Sequence, residues 1–174
     1  MPPLGPLYPF TAVGQGAAVV LVLEGHEQAA EGDVLLDSRG AQGQGLLVAV
    51  GAQASVVVNV SDGRAHGSLA TGADCTQLLQ QPGRHVLGIV LDAGPLVLTM
   101  MVDGLLCDGG GVQPAGWTWL PPLGSLAGST SAKVAPSYHG HVVAGTIYPA
   151  MLRTSELVAA YRYYSQQPPR VEDV

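Results

Sequence analysis

The chain has 174 residues, with 24 Gly, 13 Pro, 47% apolar and 11% charged residues, and a formal net charge of −6. That length suits one domain, and a charged share less than half the usual value of about 25% in a largely apolar chain excludes intrinsic disorder. The glycine and proline content argues against a helical bundle, and no apolar run reaches the roughly 18–20 residues of a membrane span. Lys133 is the only lysine and the arginines are scattered from Arg39 to Arg170. No basic face is gathered to neutralise phosphates, so neither nucleic acid nor a membrane is an expected partner.

Residues 1–9 read as a proline-rich N-terminal arm; they lack the basic stretch and apolar core of a signal peptide. Residues 10–164 form the domain. Short apolar, valine-rich runs predict strands at Ala17–Leu23, Val34–Asp37, Leu46–Val50, Val56–Val60, Arg84–Leu91, Leu96–Val102 and His141–Ile147. Turn residues separate them, and Asp103-Gly104 is the strongest hairpin signal because such a turn needs positive φ at its centre. The spacing predicts an all-β fold, an antiparallel two-sheet sandwich or barrel. One helix is expected over Thr154–Tyr164, with Thr154 as cap, Glu156 in the first turn, and Leu157, Ala160, Tyr161 and Tyr164 as its apolar stripe. Residues 165–174 read as a tail.

Two of the predicted strands are apolar on both faces. In Arg84–Leu91, Leu87, Ile89 and Leu91 occupy one face and Val86, Gly88 and Val90 the other; Leu96–Val102 behaves similarly. A sandwich sheet usually turns one polar face to water. Either a loop or the helix covers the second face, or a partner chain does.

Cys75 and Cys107 are the only cysteines, and neither has a neighbour at zinc-ligand spacing. They are either two separate buried thiols or a disulfide that closes a loop, contributing roughly 3–4 kcal/mol and implying an oxidising compartment. Glu31-Gly32-Asp33 comes near the paired-carboxylate pattern of a glycosidase but lacks the second glutamate, and reads as a solvated turn before a strand. No nucleophile elbow, phosphate loop or dinucleotide fingerprint is present, so no enzyme is expected. His139 and His141 share a predicted strand face, which fits solvent-facing residues better than a metal pair. Trp117-Thr118-Trp119 lies in a Gly- and Pro-rich stretch, and if extended places both indoles on one side. The pair fits either of two roles: stacking on a sugar ring, or plugging the end of the core, which a chain with a single Phe favours.

Three stretches together carry a family resemblance: Asp37-Ser38-Arg39; Val102 through Gly110, with Asp103-Gly104 and Cys107-Asp108; and Ala135–Tyr138 followed by Ile147-Tyr148 and Leu152–Glu156. In this order they resemble the bacterial laminin-G-like domains of the concanavalin-A-like lectin/glucanase superfamily. The resemblance implies a jelly roll of two antiparallel sheets with a short C-terminal helix, and pairing of Cys75 with Cys107. It also implies a non-catalytic module of an exported protein, binding glycans or protein surfaces on the cell exterior or a virion. No cofactor is required; calcium at the sandwich rim is the cation such modules hold, with Asp108 and Asp37 as candidate ligands, though turn duty explains both equally well. The ligand-binding candidates are Trp117 and Trp119. The alternative is a structural or decorating subunit of a larger assembly, supported by the two-faced strands and sparse charge.

Overall fold

A computed structural model describes residues 16–107, 117–128 and 132–167. In chain order the strands are β1 (Ala17–Glu24), β2 (Val34–Asp37), β3 (Gly45–Val50), β4 (Val56–Ser61) and β5 (His66–Ala70). Helix α1 (Ala73–Leu79) follows, then β6 (Arg84–Asp92), β7 (Val97–Val102), β8 (Leu105–Leu106), β9 (Trp117–Trp119), β10 (Lys133–Val134), β11 (His141–Tyr148) and helix α2 (Thr154–Ser165). All pairing is antiparallel, in two sheets. One runs β11-β1-β6-β7-β8 with β9 also on β7, and the other runs β10-β2-β3-β4-β5. This is the two-sheet sandwich the strand spacing predicts. The arm, residues 168–174 of the tail, and Asp108 lie outside the described residues.

The main core lies between the sheets. Alternation sends Ala17, Val19, Leu21 and Leu23 of β1, Leu87, Ile89 and Leu91 of β6, and Leu98, Met100 and Val102 of β7 inward, against Leu46, Val48, Val56, Val58 and Val60. The opposite faces of β1 and β6 are buried as well. Ala18, Val20, Val22, Val86, Val90 and Met101 form a second cluster with Leu157 of α2. The helix thus covers the second face of β6, together with that of β1 and Met101 of β7, and Ala160, Tyr161 and Tyr164 complete the covering stripe; Val97 and Thr99 of β7 stay half-buried beyond it. Leu157 is 4% exposed, and burying such a side chain is worth roughly 1.5–3 kcal/mol. It lies over Gly88, where a Cβ would come 2.9 Å from Leu157 Cδ2.

Several local details differ from the sequence reading. Arg153, not Thr154, occupies the cap position of α2, and its backbone N–H donates to the Glu156 carboxylate at 2.7 Å. A second helix, α1, buries Cys75 and Leu79 one turn apart. Leu96 has φ 56 and belongs to the turn before β7. The Asp103-Gly104 hairpin forms as expected, with φ 52 and 78, the pair of positive values that a tight two-residue turn demands.

Asp33 is a correction. It is 5% exposed rather than solvated, and its carboxylate accepts the backbone N–H groups of Ala30 and His139 at 3.1 and 3.0 Å and the His139 ring at 2.8 Å. Burial alone would raise this carboxyl, but the donors outweigh it and hold it below the ordinary carboxylate range. His139 therefore sits in the turn before β11, clipped to Asp33, and shares no strand face with His141. The side chains of Asp33 and His139 join the entry of β2 to the entry of β11, 106 positions apart in the chain.

Candidate functional site: an indole-walled groove

Short strand β9 pairs with β7 in the register Val97↔Trp119, Leu98↔Thr118 and Thr99↔Trp117. Leu98 points into the core, so its partner Thr118 does too and is 9% exposed. Trp117 and Trp119 must then project from the outer face. Neither indole plugs the sandwich. Trp119 is 65% exposed, and the two rings stand perpendicular with centroids 5.2 Å apart, the edge-to-face geometry aromatic pairs prefer.

The indoles form one wall of an open groove of about 590 Å³. Its floor is the outer face of β6 and β7 at Val90, Val97 and Thr99. The opposite wall is the entry to α2, from Met151 to Thr154 with Leu157, and the Asp92–Pro95 turn closes one end. Arg153 and Asp92 are the charged residues of the lining. Asp92 uses Oδ1 to accept the Gly94 N–H at 3.0 Å. The groove is apolar for a simple reason: α2 covers the outer face over β1 and β6 but stops short of β9.

The other candidates fall elsewhere. Asp37, at the end of β2, is held in a two-pronged ion pair: Arg39 Nε donates to Oδ1 and Nη2 to Oδ2, both at 2.9 Å. Arg39 holds its carboxyl below the ordinary range, with Lys133 opposite on β10 adding to the effect. A cation at Asp37 would have to displace that guanidinium. Among the described residues no group of three or more His, Cys, Asp or Glu converges as a metal cluster. Cys75 and Cys107 are both fully buried free thiols, and each perturbs the acidity of the other. The neighbouring sulfur and burial push the Cys107 thiol well above its ordinary range.

Sequence reasoning missed the groove's far wall. Leu152 and Arg153 carry only the family resemblance and Met151 no motif, and they approach the indoles because the chain leaves edge strand β11 and α2 folds back over the sheet. In the sequence Asp92 and Pro95 read only as turn chemistry.

No protein-family model matches the sequence, and no curated protein is significantly similar to it. Solved structures do share the fold. The binding domain of botulinum neurotoxin serotype D matches over 86% of this chain with a TM-score of 0.62 and 10% identity. The Ruminococcus gnavus IT-sialidase CBM40 matches over 84% of this chain and 83% of its own length, with a TM-score of 0.60 and 12% identity. A botulinum type D/C binding domain, solved in complex with rat synaptotagmin II, matches with a TM-score of 0.61 and 9% identity. The chain spans 37% of the serotype D binding domain. At these identities the likeness shows the sandwich fold alone.

Proposed function

We propose that this chain is a non-catalytic binding module that recognises glycans through Trp117 and Trp119, in an exported or surface-displayed protein of the laminin-G-like kind. The perpendicular indole pair on the wall of an open groove carries this reading. An indole face suits the C–H surface of a pyranose, while Asp92 can accept and Arg153 donate hydrogen bonds to ring hydroxyls. Two of the similar structures support it: one is the CBM40 of a sialidase, and another belongs to botulinum neurotoxin type C, whose cell entry is dependent upon interaction with two ganglioside molecules. The acid content of the groove argues against hydrolysis. Asp92 is its one carboxylate among the described residues, where glycosidase chemistry uses two.

The test is a glycan-array screen of wild type and Trp119→Ala. Retention of a sugar by wild type and its loss in the variant is the expected result. If neither protein retains any sugar, the reading fails.

Assembly into a larger structure remains the second reading. Helix α2 accounts for the second face of β6, so its support narrows to the groove face of β7 at Val97 and to Leu105 and Leu106, exposed on the edge strand β8.

A further inference from the structure

We infer that the groove selects glycans that carry a carboxylate, and that Arg153 is the residue that pairs with it. The inference rests on the reading of the groove as a glycan site and adds the class of sugar it takes.

Among the described residues Arg153 is the one cation that lines the groove, and it stands on the wall opposite Trp117 and Trp119. It is exposed there, and its guanidinium is not used within the sandwich. The ion pairs among the described residues are Arg39 with Asp37, Arg84 with Glu24, His85 with Asp103 and His139 with Asp33. Arg153 belongs to none of them. Glu156, three positions on, uses its Oε2 to accept the Arg153 backbone N–H at 2.7 Å. Arg153 thus caps α2 through its main chain, and its five side-chain N–H donors are left for a ligand.

Asp92 is the other charged residue of the lining, and it does not pair with Arg153 either. Its Oδ1 accepts the Gly94 N–H at 3.0 Å, in the turn that closes one end of the groove. Two opposite charges therefore face one apolar groove without meeting each other. A sugar stacked on Trp119 with its carboxylate toward Arg153 and its hydroxyls toward Asp92 satisfies both groups. The reverse orientation sets carboxylate against carboxylate.

A guanidinium suits this task. Its planar fork donates two parallel hydrogen bonds to a carboxylate, and it is more weakly hydrated than an ammonium, so less water has to be stripped from it. The indoles with Val90, Val97 and Leu157 keep the surroundings apolar, which strengthens the pair relative to an open surface. At about 590 Å³ the groove falls within the usual range of small-ligand sites, about 300–1,000 Å³. The formal net charge of −6 gives the chain no general attraction for anions. A preference for acidic sugars would therefore report a local contact.

The experiment uses the full-length chain on an array of glucuronic acid- and sialic acid-terminated oligosaccharides. Each is printed beside its methyl ester, which keeps the ring and hydroxyls and removes the charge. Wild type should retain the acids about tenfold or more over the esters, as a hydrogen-bonded charge pair predicts. Arg153→Gln, which keeps the backbone cap, should bring acid and ester to equal retention. Arg153→Lys keeps the charge without the fork and should restore only part of the preference. Equal retention of acid and ester by wild type would overturn this inference and leave the glycan reading standing. An acid preference that survives Arg153→Gln would also overturn it, by assigning the carboxylate to another group. Sulfated counterparts retained as well as the acids would overturn the choice of carboxylate. Retention of no sugar at all by wild type defeats the glycan reading itself, and this inference with it.

Discussion

The Asp103 carboxylate, at the tip of the β7–β8 hairpin, meets the buried ring of His85 at 2.7 Å between its Oδ2 and the histidine Nδ1. The other ring nitrogen faces the Gln81 carbonyl at 2.9 Å, and Asp103 Oδ1 accepts the Val86 N–H. Both His85 nitrogens point at acceptors, so the arrangement is satisfied in full only by the doubly protonated ring. His26 is the opposite case. Its Nε2 donates to the Ala54 carbonyl, and its Nδ1 meets the Tyr138 hydroxyl at 2.8 Å, a group able to donate to it, so the neutral ring is satisfied in full.

These two histidines predict a peaked pH profile of stability. Burial alone would lower His85, but Asp103 and the Gln81 carbonyl outweigh it and raise its pKa. Its contribution is present below the unfolded value of about 6.5 and is lost as pH rises through the raised folded value. Burial lowers His26, so the unfolded chain takes up the proton first and stability falls as pH drops below about 6.5. Thermal unfolding from pH 5 to 9 should therefore show a maximum near 6.5. His85→Gln should flatten the alkaline limb while leaving the acid limb; a profile unchanged by that substitution would refute the assignment.

Gly88 should resist enlargement. A Cβ there meets the flexible end of Leu157, so Gly88→Ala is expected to be nearly tolerated, whereas Gly88→Leu has to lift α2 from the sheet. The expected penalty for the leucine is about 1–3 kcal/mol by chemical denaturation, with limited proteolysis cutting near α2. Leu157→Ala, in the same contact, should cost about 2–5 kcal/mol.

The Asp33–His139 clip should matter to stability and not to binding. Asp33→Leu removes the charged acceptor of two part-buried N–H groups, those of Ala30 and His139, at about 1–3 kcal/mol. The indole groove is formed by other elements, so ligand affinity of the folded fraction should be unchanged. An equal loss of both would contradict the separation described above.

Cys75 and Cys107 should form a disulfide under oxidising conditions. Mass spectrometry of the unreduced, denatured chain would show the loss of two hydrogens and no thiol available for alkylation. Chain-entropy arguments place the stabilisation over the reduced form at roughly 3–4 kcal/mol. Two alkylatable thiols after prolonged exposure to oxidised glutathione would exclude the bridge.

Much of the architecture was legible because the alternation of apolar residues is a local property. Val56–Val60 and Leu46–Val50 carry the two-residue period within themselves, and Asp103-Gly104 carries its own turn geometry. β5 was not legible: only Leu69 of its five residues is buried, so it offers no alternation to read. Helix α1 was too short for a stripe, and its buried pair, Cys75 and Leu79, is too sparse to reveal a period. Asp33 misled for a related reason. An acidic residue beside glycine reads as solvated until His139 arrives from the far end of the chain to partner it.

For the indoles, the sequence alone determined that Trp117 and Trp119 share a side, since an extended backbone fixes alternate directions regardless of surroundings. Which side that is was decided only by pairing with β7, where Leu98 draws Thr118 inward and turns both rings out. The groove likewise depends on α2 stopping short of β9. Directions along a strand follow from covalent geometry, whereas which face is covered follows from contacts between segments distant in the chain.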